Sequence, residues 1–256
     1  MRRLFHNARL ICPAQVIDAD GWLLTEDDLI HSTGSGLASD YIKSGADELV
    51  DCQGFILGPG LVDMRAETGD PGAQHLETLD TLLAAAAAGG VTSLAVQPST
   101  EPVIDNASLI NSLQMRARRR QGPTLYCHGA MSRNLDGTQM AELGMMADAG
   151  AIGFSNGTKS IQDSQSMRRV LTYSAMLNKP VIHHCEDTSL SDASDMNEGA
   201  TSTRLGLIGS PAEAETIILE RDLQLVRLTG ARYHAAHLTT AASLDAVRRA
   251  KDEGLP

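Results

Sequence analysis

Three histidines stand where apolar runs break off. His183 and His184 close the run in PVIHHCED, and His237 closes the one in RYHAAHLTT. Runs of this length read as strands, and neighbouring strand ends lie close together in a parallel sheet. Imidazole nitrogen is a good zinc ligand, so His184 and His237 are candidates to share one metal ion. The bland alternative is a set of hydrogen-bonded rim histidines, because two ligands do not make a site. Glu67, in LVDMRAETGDPG (residues 61–72), could supply a third donor, and an O,N,N set is acceptable to zinc. Against this, Arg65 stands two residues away and would repel a dication, and a solvated loop carboxylate needs no metal.

Ser155, Asn156 and Gly157 close another run. A bridging carboxylate or modified lysine would be useful there in a two-metal hydrolase. Asn156 is neutral and bridges two cations poorly. Lys159 reads as a surface charge.

The elements that must position these residues follow one rhythm. LGPGLVDM, VTSLAVQ, TLYCHGAMS, AIGFSN, PVIHHCED and RYHAAHLTT are strand candidates, and each precedes a helical segment, giving six strand–helix units in a row. Gly-Gly, Gly-Pro, Asp-Ala-Gly, Asn-Lys-Pro, Thr-Gly and Glu-Gly close the helices. Alternating β and α with buried strands means a parallel sheet, either doubly wound or closed as a (β/α)₈ barrel. No G-x-G-x-x-G follows the first strand, which weakens the dinucleotide-binding version. The polar residues fall at 63–70, 97–101, 156–159, 183–187 and 237–240, all just after strands. In a barrel those positions share the C-terminal rim, where active sites sit.

Residues 1–57 hold short apolar pieces separated by Asn, Asp and Gly and read as a small β subdomain; residues 58–256 read as the barrel. A barrel needs eight units, and this sequence reaches Pro256 as a seventh strand would begin. The expectation is a TIM-type barrel truncated after six units: a fragment, or part of an oligomer whose partner covers the open edges.

At 256 residues and 42% hydrophobic content the chain can bury a sizeable core, built on Leu, Ala, Val, Ile and Met because aromatics are only 3%. The formal charge of −11 argues against non-specific nucleic-acid binding but leaves room for a locally positive pocket. Cys12, Cys52, Cys127 and Cys185 form no C-x-x-C pair and read as reduced thiols of a cytoplasmic protein. No segment resembles a signal peptide or a membrane-spanning helix. The basic run Met115–Arg120 reads as a solvated helix end, Ala84–Ala88 as a close-packed helix face, and Met145 and Met146 as core.

GPGLVDM, GDPGAQHLET, AAAAAGGVTSLAVQPSTEPVIDN, IHHCEDTSL, MNEGATSTRLGLIGSPAEAE and RYHAAHLTT together resemble the dihydroorotase family of the amidohydrolase superfamily, over nearly the whole length. The resemblance implies a metal-dependent (β/α)₈ barrel beside a small β-sandwich built from both chain ends. It implies zinc as cofactor and the reversible ring closure of N-carbamoyl-aspartate to dihydroorotate in pyrimidine synthesis. In the ring-opening direction a metal-bound hydroxide attacks the ring amide and a strand-eight Asp shuttles the proton.

The family's Asp-x-His-x-His motif reads Asp63, Met64, Arg65, Ala66, Glu67 here, so both histidines are replaced. The substrate-gripping Arg falls at Gly69, a substrate-binding Asn at Ser99, and the bridging group at about Asn156. His184 and His237 match the family's later metal histidines, and the catalytic Asp would lie beyond Pro256. No catalytic or substrate-binding residue is carried over.

The expectation is a non-catalytic homologue, resembling family members that lack the metal motif and act as structural partners of aspartate carbamoyltransferase. The alternative is a working cyclic amidohydrolase in which Glu67, His184 and His237 hold one metal and His128, His183 or Cys185 assists. A third reading is an unstable fragment with no function of its own.

Overall fold

A computed structural model of the chain describes residues 1–120 and 122–256, in two compact units, Met1–Leu61 and Val62–Pro256.

In the first unit, β1 (Arg2–Cys12), β2 (Ile17–Glu26) and β3 (Leu29–Ser35) form an antiparallel meander. A short helix, α1 (Asp40–Ser44), follows; β4 (Glu48–Asp51) and β5 (Ile56–Leu57) then add to β1 in parallel. The result is one five-stranded sheet. Its small core gathers Leu4, Leu24 and Ala38, with Trp22 and Ile42 against them. The sequence reading lacks α1, which starts where Ser39 Oγ accepts from Ile42 N–H.

The second unit alternates strands and helices. β6 (Leu61–Ala66) leads to α2 (Leu79–Ala88), β7 (Val91–Val96) to α3 (Ala107–Arg118), and β8 (Thr124–Ala130) to α4 (Leu143–Asp148). β9 (Gly153–Ser155) precedes α5 (Ser164–Met176). After β10 (Val181–His184) comes an excursion of α6 (Thr188–Ser191), β11 (Met196–Asn197), α7 (Ala200–Leu205) and β12 (Gly209–Ser210). Then follow α8 (Glu213–Thr229), β13 (Tyr233–Ala236) and α9 (Ala241–Asp252). The six long-range strands pair in the order β13-β10-β9-β8-β7-β6, in sequence order apart from the excursion. That is the order of consecutive barrel strands, and the polar loops share one end of the sheet as the sequence predicts.

Local chemistry sets the helix starts. Thr78 and Thr81 form a capping box at α2, and Asn106, Asp163 and Thr240 cap α3, α5 and α9 through side-chain oxygen. The main core lies between sheet and helices and includes Leu94, Val96, Phe154, Met146 and Met167, all at most 1% exposed. Gly129 is required at one close approach, because a Cβ there would meet Met146 Sδ at 2.7 Å.

Three sequence expectations fail for geometric reasons. Met145 is 60% exposed while Met146 is buried, since successive helix residues face different directions. Ala84, Ala85, Ala87 and Ala88 are exposed, and α2 packs through Leu79 and Leu83 instead. The run Leu61–Ala66 is exposed up to Ala66, because β6 is the last strand of the sheet and has a neighbour on one side only. Helix α3 ends at Arg118; Gln121 lies outside the described residues.

Candidate metal centre

His184 ends β10 and His237 follows β13, and these two strands pair in register with His184 opposite Ala236. The rings meet as the sequence predicts: the two Nδ1 atoms are 3.1 Å apart, with ring centroids 5.1 Å apart. His184 Nε2 lies 3.0 Å from Glu186 Oε2. A carboxylate only accepts, so His184 Nε2–H donates to Glu186, and the geometry suits His237 Nδ1–H donating to a lone pair at His184 Nδ1. Burial, then the neighbouring Arg65 charge and His184, hold the His237 imidazole below its usual range.

Glu67 does not complete this pair. Its carboxylate accepts from Arg65 Nη2 at 3.3 Å, and both side chains are substantially exposed. Among the described residues, no set of three ligand atoms including His184 and His237 lies within 4.8 Å. Arg65 and Glu67 are alternate residues of one strand end, share a face, and neutralise one another.

Asn156 is taken up by hydrogen bonds within the protein. It is 2% exposed, its Oδ1 accepts from Met131 and Ser132 N–H at 3.0 and 3.2 Å, and its Nδ2 donates to Ser132 Oγ at 2.8 Å. Every polar atom of the side chain is engaged in tying β9 to the loop after β8. Lys159 is exposed, as predicted.

His183 and Cys185 are not part of the centre either. Strand alternation sends His183 to the face opposite His184. There it is fully buried against α8, with Nδ1–H donating to Asp222 Oδ2 at 2.6 Å and Nε2 accepting from Ile161 N–H at 2.8 Å. Tyr233 Oη donates to the same carboxylate at 2.8 Å, Cys185 Sγ lies 3.1 Å from Tyr233 Oη, and Arg221 pairs with Asp222 Oδ1. His183, Cys185 and Asp222 do bring three ligand-type atoms within 4.8 Å. The backbone bond from Ile161 fixes the ring proton on Nδ1, where it goes to Asp222, so the group is a closed hydrogen-bond network. Burial pushes the Cys185 thiol up to about 12, helped by Asp222.

His128 lines the concave face of the sheet, in a cavity of about 590 Å³ shared with Met64, Arg65, Gln97 and His237. Its Nε2–H donates to the Met64 carbonyl at 3.2 Å, while Nδ1 is buried without a partner. Burial holds this imidazole below its usual range, and hence neutral.

The Dihydro-orotase-like family model matches residues 54–243. The chain belongs to the dihydroorotase-like family. It is 38% identical over 97% of its length to a dihydroorotase of Wolbachia sp. subsp. Brugia malayi, 56% of which is covered. It is 40% identical over its full length to that of Syntrophus aciditrophicus, covering 59% of the relative. The chain thus spans little more than half the length of these curated relatives. Among solved structures, L-hydantoinase (dihydropyrimidinase) of Arthrobacter aurescens superimposes with a TM-score of 0.77 at 20% identity, over 99% of this chain and 56% of that one. N-acyl-D-glutamate deacylase of Bordetella bronchiseptica, solved with zinc, gives 0.63 at 16%, over 99% and 56%. These likenesses establish the amidohydrolase barrel fold, here as six of its strands.

Within this dihydroorotase-like frame the residues present do not fit a two-metal centre. The first-strand positions hold an ion pair, the bridging position is turned into backbone, and two imidazoles remain.

The sequence reading missed two carboxylates that matter to the site. Glu215 and Asp222 lie on the buried stripe of α8 with Ile218, Leu219 and Leu223. The signal was present: two acids at i and i+7 within an otherwise apolar helix face.

Proposed function

We propose that this chain is a non-catalytic dihydroorotase homologue of the pyrimidine pathway that serves as a structural partner of aspartate carbamoyltransferase. The observation that carries this reading is the fate of Asn156: its buried amide oxygen already accepts two backbone N–H bonds, so it offers no free lone pair to a cation. The Arg65–Glu67 pair supports it, because a guanidinium beside the histidines opposes a dication. Too few ligands remain to hold zinc and lower its water's pKa. A cytoplasmic setting fits the free thiols and the lack, among the described residues, of a helix long and apolar enough to cross a membrane.

One observation favours a second reading, an active metal-dependent cyclic amidohydrolase. Two nitrogens each about 2.0–2.1 Å from one zinc stand roughly 3.3 Å apart, close to the 3.1 Å between the His184 and His237 Nδ1 atoms. The test takes the folded chain with added zinc, measures bound metal, and follows dihydroorotate in both directions. It then mixes the chain with aspartate carbamoyltransferase, follows co-elution, and measures the activity of that enzyme. No bound metal, no turnover and a stimulated complex are expected. Turnover with stoichiometric zinc overturns the silent reading; failure to co-elute overturns the partnership.

A further inference from the structure

His237 has φ +59°, in the left-handed region that residues other than glycine rarely adopt. Such a conformation persists only where its surroundings over-determine it. The surroundings here are the next turn of chain, held by a single side chain. Glu215 Oε2 accepts from Thr239 N–H at 2.8 Å and from Thr239 Oγ1 at 2.9 Å. Its Oε1 accepts from Thr240 N–H at 3.1 Å and from Thr240 Oγ1 at 2.8 Å. Burial works against this carboxylate, but the bonds from Ser243, Thr239 and Thr240 outweigh it and hold the group below its usual range. Thr240 in turn caps α9, so the negative charge also faces a helix N-terminus.

The other histidine is secured from the same helix. Two turns along α8, Asp222 holds His183, the residue before His184, and Tyr233 at the start of β13. Arg221 beside it reaches the carbonyl of Gln162 in the loop after β9 at 2.7 Å. Fixing His183 on the outer face fixes His184 on the inner one.

We infer that α8 sets the geometry of the His184–His237 pair, with Glu215 as the positioning residue for His237 and Asp222 for His184. This goes beyond the reading of a silent dihydroorotase homologue and holds whether or not the chain turns over a substrate.

The experiment is imidazole ¹⁵N NMR on the whole chain at pH 8, with assignments from His184→Gln and His237→Gln. In the wild type, His237 carries its proton on Nδ1 and His184 on Nε2. In Glu215→Gln the loop loses its carboxylate, and the His237 signals move toward the tautomer mixture of free histidine. Asp222→Asn moves the His184 signals in the same sense. Glu220→Gln alters an exposed acid of the same helix, paired with Arg249, and leaves both histidines unchanged. Thr239→Ala removes one of the four bonds, retains the carboxylate, and gives a smaller shift of His237; it decides the question if Glu215→Gln does not fold. A His237 that keeps its Nδ1 proton in every folded variant at Glu215 or Thr239 overturns the inference. So does a wild type in which His237 is protonated on Nε2. Neither outcome bears on turnover or on aspartate carbamoyltransferase, so failure here is distinct from failure of the functional reading.

Discussion

The Asn156 amide donates to Ser132 Oγ at 2.8 Å while its oxygen accepts from the backbone N–H groups of Met131 and Ser132. A side chain that a two-metal hydrolase would aim at its ions is here part of the wall that joins two loops. The same replacement that removes a ligand adds a structural tie.

That tie predicts a stability effect. Asn156→Ala leaves two buried N–H donors without their acceptor, at roughly 1–3 kcal/mol each, so a loss of about 2–6 kcal/mol is expected. Asn156→Asp keeps an acceptor of the same shape and should cost less, without gain of zinc binding. Urea midpoints with unchanged m-values report the first, and metal analysis of the folded variant the second.

How much of this was legible beforehand divides along chain distance. The strand ends, their order and the convergence of His184 with His237 follow from runs and spacing, because a parallel α/β sheet converts sequence order into spatial order. Glu67 could be placed at the rim, but its partner was settled by a side chain two residues away on the same face. The roles of His183 and Cys185 depended on which face of β10 each takes and on Asp222 in the middle of α8, 39 residues downstream of His183. The excursion between β10 and α8 has no period to read, being built of two-residue strands and short helices.

A second prediction concerns acid. Asp70 is 4% exposed, and Arg116 grips both its oxygens from α3, holding its carboxyl below the usual range. The basic run at the end of α3 is therefore only partly a solvated helix end. A carboxyl with a depressed folded pKa adds stability that is present above the ordinary Asp value, near 3.9, and is lost as pH falls through the lowered one. The wild type should lose more stability than Asp70→Asn between pH 5 and pH 2, while at pH 7 the variant is the weaker by about 1–3 kcal/mol. Equal acid sensitivity in denaturant titrations would count against the pair.

Thiol chemistry gives a third. Cys127 and Cys185 are buried, and burial pushes each thiol up to about 12, whereas Cys12 and Cys52 are only half-buried. At pH 8 the native chain should leave two thiols unreacted toward an aromatic disulfide reagent, and all four should react in guanidinium. Early modification of Cys185 would mean that its network with Tyr233 and Asp222 opens in solution.

The last prediction returns to the first strand. Arg65 and Glu67 stand where the resemblance to the family would put two metal histidines, and they neutralise one another beside His237. Replacing both, Arg65→His with Glu67→His, removes the opposing charge and sets four imidazoles around one point, counting His184 and His237. Neutral imidazoles suit zinc, whereas Asn156 stays locked into Ser132 and cannot bridge to a second ion. The double variant should bind one zinc per chain after dialysis, and the wild type should hold substantially less than one. Arg65→Ala alone should bind more than wild type but less than the double variant, because removing repulsion is not the same as adding ligands. Metal content by mass spectrometry decides it: two ions per chain would mean that Asn156 yields its hydrogen bonds, and none would mean that β6 does not aim positions 65 and 67 at the histidine pair.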